Sequence, residues 1–162
     1  TGTHPSTRLC LEAMDREPPN GLYVADIGCG SGILGLTAIG FGAKKAFSVD
    51  TDSLAVSSTK RNFLLNSFDQ DALDVRKGSI DVLRSMLQER SIDLLLCNIL
   101  APIIKQLIPD FEEIISKKGR CLLSGILVDQ VKDLEETLFL HHWRVSRRWN
   151  KTNWALIEIY RA

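Results

Sequence analysis

Hydrophobic residues alternate along the chain between short, nearly continuous apolar runs and longer stretches with helical spacing. The short runs predict seven strands, at 23–28, 45–50, 72–79, 92–99, 120–126, 143–149 and 154–161. Helical spacing predicts helices at 5–15, 32–42, 52–67, 103–115 and 128–140. Strands that alternate with helices indicate an α/β domain with a mostly parallel sheet and helices on both faces.

The end of the chain departs from this alternation. Its last two predicted strands are separated only by the polar stretch KTN, so they predict an antiparallel hairpin. The first of these strands and the turn carry a basic and aromatic cluster, which either contacts RNA or an acidic partner or guards an exposed sheet edge. We interpret it as a guard. Its members are Trp143, Arg144, Arg147, Arg148, Trp149 and Lys151.

Composition is that of one soluble domain spanning residues 1–162. The 162 residues include 44% hydrophobic and 25% charged residues, and 20 basic side chains balance 20 acidic ones. A net charge of zero gives no general attraction to nucleic acid or to a membrane. The four cysteines lie far apart, which favours buried thiols in a reducing cytoplasm over a disulfide framework or a metal site. They are Cys10, Cys29, Cys97 and Cys121.

In a sheet of this kind, ligands bind beyond the carboxyl ends of the strands. The first strand ends in the glycine-rich run ADIGCGSG, whose Gly28, Gly30 and Gly32 permit a tight turn and a close approach of ligand to backbone. The stretch from Gly30 to Gly35 also matches the dinucleotide fingerprint G-x-G-x-x-G, but it starts two residues after the turn begins.

Two acidic residues help to decide which ligand the glycine run serves. Asp26 precedes the first glycine by two residues, where its charge would repel a pyrophosphate and attract an ammonium group such as that of S-adenosylmethionine. Asp26 could equally hold the glycine loop through backbone N–H groups. Asp50, about 20 residues further on, can accept both hydroxyls of a ribose. The alternative role, capping of the next helix, fits Asp52 better than Asp50.

The fourth strand ends at Asn98, in the segment DLLLCNILAP. A buried amide must find hydrogen-bond partners, and Asn98 either caps the following helix or faces the reacting end of the cofactor. Together with the glycines and the two acids, it favours the second role. After the third strand, Ser79 and Ile80 either border an adenine or form a plain loop.

These residues resemble the Rossmann-like, class I S-adenosylmethionine-dependent methyltransferases. More narrowly, the chain is similar to the catalytic domain of the family that methylates ribosomal protein L11. Four stretches carry the resemblance: TGTHPSTRLCLE (1–12), DIGCGSGILGL (26–36), CNILAP (97–102) and LLSGIL (122–127). The resemblance implies cofactor contacts at Thr7, Gly28, Asp50 and Asn98. It also implies methylation of lysine and/or N-terminal amino groups of a large-subunit ribosomal protein.

Two departures from related enzymes qualify what the resemblance implies. NILA stands where nitrogen methylases of other substrates carry Asn-Pro-Pro-aromatic, which favours an aliphatic amine over a stacked planar acceptor. Members of the family begin with a separate substrate-recognition domain, whereas this chain starts at TGTHP. We therefore expect a catalytic fragment that folds and binds cofactor as a monomer but methylates its protein substrate poorly.

Methyl transfer from a sulfonium requires alignment rather than acid catalysis or a metal. Asn98 is the predicted catalytic residue. His4 is a candidate base, although a structural role is the commoner one for such a histidine. The rival interpretations are a class I methyltransferase with another amine acceptor, an NAD(P)-dependent oxidoreductase that uses the fingerprint at Gly30, and a cofactor-binding module without turnover.

Overall fold

A computed structural model describes residues 2–162 and contains a single sheet of seven strands. The strands are β1 (Tyr23–Ile27), β2 (Lys45–Asp50), β3 (Leu73–Lys77), β4 (Ile92–Asn98), β5 (Ile115–Leu127), β6 (Trp143–Lys151) and β7 (Trp154–Arg161). Their order across the sheet is β3-β2-β1-β4-β5-β7-β6. The first five strands are parallel, and β7 runs antiparallel to both of its neighbours. The predicted fold is thereby confirmed.

Helices cover both faces of the sheet. They are α1 (Pro5–Arg16), α2 (Ile33–Gly40), α3 (Ser53–Leu64), α4 (Ile80–Leu87), α5 (Ala101–Leu107), α6 (Phe111–Ile114) and α7 (Val131–Leu140). Successive residues of a strand point to opposite faces, so each central strand supplies two cores. Val24 and Leu94 pack with α1 and α2, whereas their neighbours Ala25 and Leu95 pack with α4 to α7. This double coverage explains why β4 is an almost uninterrupted apolar run.

Three element predictions need correction. Helix α4 was missing from the sequence prediction, although its buried residues Ile80, Leu83 and Leu87 recur with helical spacing. The helix predicted at 103–115 is divided by a short 3-10 turn at Ile108–Asp110, because Pro109 cannot continue the hydrogen-bond ladder. Strand β5 begins at Ile115, five residues earlier than predicted, since Ile115 still pairs with Ile92 of β4.

The C-terminal hairpin places β6 at the edge of the sheet. Its two tryptophans belong to the hydrophobic cores, with Trp143 3% exposed and Trp149 partly buried. Arg148 forms an ion pair with Glu135, and Lys151 forms one with Glu12. Basic side chains along an edge strand discourage pairing with another chain, and these contacts support the guard interpretation of the cluster.

The four cysteines are all buried, with free thiols. Burial raises the pKa of both Cys10 and Cys29 to about 12, so these thiols stay protonated at neutral pH. Among residues 2–162, no helix is both long enough and apolar enough to cross a membrane.

Candidate cofactor-binding site

The glycine-rich run forms a loop between β1 and α2. Gly28, Gly30 and Gly32 have φ angles of 75°, 56° and 85°, which L side chains rarely adopt. A Cβ atom at Gly28 would lie 2.3 Å from Cγ2 of Ile99, so this glycine permits close packing against the segment after β4. At Gly30, no heavy atom within the described part of the chain lies within 4 Å of the Cβ position. The loop is therefore tightly packed against Ile99 at Gly28 and open at Gly30, as a close approach by a ligand requires.

Asp50, at the end of β2, holds this loop directly. Its Oδ2 accepts a hydrogen bond of 2.9 Å from the backbone N–H of Gly30, and its Oδ1 accepts one of 2.9 Å from the N–H of Asp52. Each carboxylate oxygen has a second lone pair, so Asp50 can still accept bonds from two ligand hydroxyls. Asp52 caps α3 by accepting from the N–H of Leu54, which confirms its predicted capping role; the ribose contact of Asp50 stays a prediction.

The side chain of Asn98, at the end of β4, has its hydrogen-bond partner on α1. Its Nδ2 donates a hydrogen bond of 3.1 Å to Oγ1 of Thr7, which is 4% exposed on α1. The N-cap position of α5 is Leu100, two residues further on, so the amide is directed toward α1 rather than toward the following helix. The bond fixes the orientation of the side chain and uses only its amide nitrogen, while the carbonyl oxygen is an acceptor.

Asp26 lies beneath the loop and is only 1% exposed. Its Oδ2 accepts a hydrogen bond of 3.1 Å from the N–H of Gly35, in the first turn of α2. Burial raises the pKa of this carboxyl from its ordinary value of 3.8 to about 7; the nearby charge of Asp50 adds to the rise, and the hydrogen bond from Gly35 opposes it. The contact matches the loop-holding role. The predicted interaction of Asp26 with an ammonium group stays a prediction.

Ser79 and Ile80 lie at the same edge of the sheet, at the start of α4. The preceding residue, Gly78, donates its N–H to the carbonyl oxygen of Asp50 at 2.9 Å, which brings this turn beside the end of β2. Ser79 is half-buried at the N-cap position, whereas Ile80 is 6% exposed and its side chain belongs to the core under α4. Ser79 is thus the more accessible of the two residues predicted to border an adenine.

Two further polar residues, one before α1 and one on β5, have structural partners. Nδ1 of His4 accepts the backbone N–H of Ser6 at 3.2 Å, so His4 caps α1. The Nδ1 atom of His4 is engaged in this cap, which supports the structural role of the side chain. Ser124 is fully buried in β5, where its hydroxyl donates to the carbonyl oxygen of Ser6 at 2.9 Å.

Sequence reasoning missed the residues that hold the loop from the side of α3. Thr59 donates to the carbonyl oxygen of Gly30 at 3.0 Å, and Asn62 donates to that of Ser31 at 2.8 Å. They lie 29 and 31 residues from their partners. Their only sequence signal is that both are polar residues within the helical pattern of α3.

The glycine loop, Asp50, Thr7 and Asn98 thus meet at one edge of the sheet. The sequence profile of the family described as ribosomal protein L11 methyltransferase (PrmA) matches residues 1–162. The chain belongs to this family. A ribosomal protein L11 methyltransferase from Parasynechococcus marenigrum (strain WH8102) is 53% identical over 161 residues, which cover 99% of this chain and 56% of that protein. Family membership confirms the resemblance in the four sequence stretches.

Solved structures agree with the assignment to the L11 methyltransferase family. The crystal structure of a ribosomal protein L11 methylase from Lactobacillus delbrueckii subsp. bulgaricus has a TM-score of 0.88 and 28% identity, covering 99% of this chain and 80% of that one. A putative methyltransferase crystallised in complex with SAH has a TM-score of 0.79 and 15% identity, covering 98% of this chain and 50% of that one. At that identity the second likeness shows the fold alone.

The chain spans about half the length of the curated family members that it matches, with coverage of 56% and 53% of the first two. The comparison therefore concerns only the part of these proteins that aligns with this chain.

Proposed function

We propose that this chain is a catalytic domain that binds S-adenosylmethionine and transfers its methyl group to lysine and/or N-terminal amino groups of ribosomal protein L11. The observation that carries the proposal is the meeting of the glycine loop, Asp50 and the Thr7–Asn98 pair at the carboxyl ends of the strands. Family membership supports the reaction and the substrate, because the relatives are named for both.

The residues present fit this cofactor. The space in front of Gly30 admits a ligand, and Asp50 beside it is an acceptor for the two ribose hydroxyls. Asp50 places a carboxylate beside the open side of the loop, which suits a positively charged cofactor and opposes a pyrophosphate. Half-buried Ser79, at the start of α4, is the proposed neighbour of the adenine. S-adenosylmethionine, when bound, supplies a methyl group attached to a positively charged sulfur. This sulfur is a leaving group that needs no protonation by an acid.

Asn98 then has the role of alignment. Its bond to Thr7 holds the amide at one orientation, so its carbonyl oxygen can accept from the amine that receives the methyl group or from the methionine end of the cofactor. Holding two reacting atoms about 3–3.5 Å apart in line is the main contribution an enzyme makes to such a displacement.

The surroundings of Asn98 favour a neutral amine. The run CNILAPII from 97 to 104 has no charged residue, and its Leu100 and Ile103 are 62% and 43% exposed. An apolar surface disfavours an ammonium and so lowers the pKa of a lysine from about 10.4 toward neutrality. In this proposal the amine gives its proton to solvent, and no protein side chain acts as the base.

Calorimetry and a methyl-transfer assay test the proposal together. We expect the 162-residue chain to bind S-adenosylhomocysteine and to leave NADH unbound in matched titrations. Tritiated S-adenosylmethionine with ribosomal protein L11 from an unmethylated strain should give labelled L11, more slowly than a full-length family member used as the positive control. Tight binding of NADH without binding of S-adenosylhomocysteine would overturn the proposal.

Replacing Asp50 with alanine should weaken binding of S-adenosylhomocysteine by about 1.5–3 kcal/mol. The reason is the loss of charge-assisted hydrogen bonds to the ribose, together with the acceptor that holds Gly30. Asp52→Ala is the matched control: it removes the cap of α3 and costs about 1 kcal/mol of stability, while the affinity should be unchanged. An Asp50→Ala variant that folds and binds with wild-type affinity would show that Asp50 does not contact the ribose.

A further inference from the structure

Helix α3 turns two polar side chains toward the glycine loop. Thr59 is fully buried, and its hydroxyl donates to the carbonyl oxygen of Gly30 at 3.0 Å. One turn later, Nδ2 of half-buried Asn62 donates to the carbonyl oxygen of Ser31 at 2.8 Å. Successive carbonyl groups of the loop are thus both held from α3.

Gly30 is therefore held at both of its backbone polar groups. Its N–H donates to Asp50 and its carbonyl oxygen accepts from Thr59, so the peptide planes on either side of it cannot rotate freely. Gly30 is also the loop residue whose Cβ position faces open space. The two bonds fix the backbone at the point where a ligand can approach it.

A third group extends this arrangement. Sγ of Cys29 lies 3.4 Å from Oγ1 of Thr59, and the hydroxyl proton of Thr59 is directed to Gly30. The thiol is then the donor in the Cys29–Thr59 contact, as a protonated cysteine can be. A chain of hydrogen bonds runs from thiol to hydroxyl to carbonyl, and such chains strengthen their members in a buried setting.

We propose that Thr59 and Asn62 are positioning residues for cofactor binding, which act through the backbone of the glycine loop and do not themselves touch the cofactor. The inference rests on the proposed function, because it assigns the loop to S-adenosylmethionine. Without the two bonds, the peptide groups of the loop should populate other orientations. The apparent affinity for the cofactor then falls with the fraction of molecules whose loop has the orientation that binds it.

Thr59 also has a packing role that must be separated from its hydrogen bond. A Cβ atom at Gly32 would lie 2.8 Å from Cγ2 of Thr59, so the methyl group fills the space under that glycine. Thr59→Val keeps this methyl group and removes the hydroxyl, whereas Thr59→Ser keeps the hydroxyl and removes the methyl group. The two variants therefore report on the two roles separately.

Calorimetric titration with S-adenosylhomocysteine gives the first test. We expect Thr59→Val to raise the Kd about tenfold, the loss expected when a buried carbonyl group is left without its donor. Thr59→Ser should restore the Kd to within about threefold of wild type, because the hydroxyl is present. Asn62→Leu should raise the Kd by about the same factor as Thr59→Val.

Matched controls are a threonine and an asparagine whose side chains donate to carbonyl groups of a helix instead of the glycine loop. Thr137 on α7 donates to the carbonyl oxygen of Asp133, and Asn66 donates to that of Asn62. Thr137→Val and Asn66→Leu should leave the Kd unchanged. If Thr59→Ser raises the Kd as much as Thr59→Val does, packing explains the effect and the positioning role is wrong.

A second measurement does not depend on the cofactor. In ¹H–¹⁵N spectra, the amide resonances of Gly30, Ser31 and Gly32 should shift in Thr59→Val and remain in place in Thr137→Val. Unshifted loop amides in a folded Thr59→Val variant would overturn the inference even if the chain binds S-adenosylhomocysteine. Shifted loop amides in a chain that does not bind S-adenosylhomocysteine would instead count against the proposed function.

Discussion

Replacing Asn98 with alanine is expected to lower methyl transfer to ribosomal protein L11 about a hundredfold or more, while the affinity for S-adenosylhomocysteine falls much less. The amide is oriented by Thr7 at the end of β4, where its role is alignment. A misplacement of the reacting atoms of about 1 Å is enough for a loss of this size. Single-turnover rates with tritiated cofactor, set beside calorimetric Kd values, measure the two effects separately.

A second variant tests the orientation of the amide rather than its presence. Thr7→Val keeps the size of the side chain and removes the acceptor for Nδ2 of Asn98, so we expect a smaller loss of rate in the same direction. Asn66→Ala removes an exposed asparagine two residues after the end of α3 and is the control for general effects of asparagine removal. Losses of equal size in rate and in affinity for Asn98→Ala would make Asn98 a binding or structural residue.

Asp26→Asn is expected to stabilise the folded chain at high pH, by as much as about 4 kcal/mol at pH 8. Burial raises the pKa of Asp26 to about 7 in the folded state, whereas the unfolded chain releases this proton near 3.8. Between these values the folded state binds one more proton than the unfolded state, so the free energy of unfolding decreases as the pH rises through this window. Asparagine is neutral throughout and still accepts the hydrogen bond from Gly35.

Urea denaturation of both proteins from pH 5 to pH 8 measures this effect. The difference in the free energy of unfolding between Asp26→Asn and the wild type should increase by about 2–3 kcal/mol over that range, and it should level off above pH 7. Other titrating groups affect both proteins equally and cancel in the difference. A difference that is constant with pH would show that Asp26 is ionised in the folded state at pH 5, and its burial would then need a cationic partner.

Local patterns were sufficient for most elements of the fold. Strand-length runs identified all seven strands, and the central ones gave the clearest signal because strands covered on both faces are mostly apolar. Helix α4 is missing from the sequence prediction although Ile80, Leu83 and Leu87 have helical spacing, because a helix of eight residues shows only about two turns of that pattern. The pattern of α3 was less informative, since Leu54 and Leu64 are 76% and 79% exposed while Thr59 is buried.

The sequence by itself determined the alternation of strands and helices, the glycine loop, and the capping of α3 by Asp52. These features depend on residues close together in the chain, where spacing and backbone preferences are visible. Only the tertiary structure decided which groups satisfy Asn98, Gly30 and Ser31. Asn98 lies 91 residues from Thr7, and the loop lies about 30 residues from Thr59 and Asn62. Hydrogen bonds between such distant residues depend on how α1 and α3 pack on the sheet, and no local pattern encodes that packing.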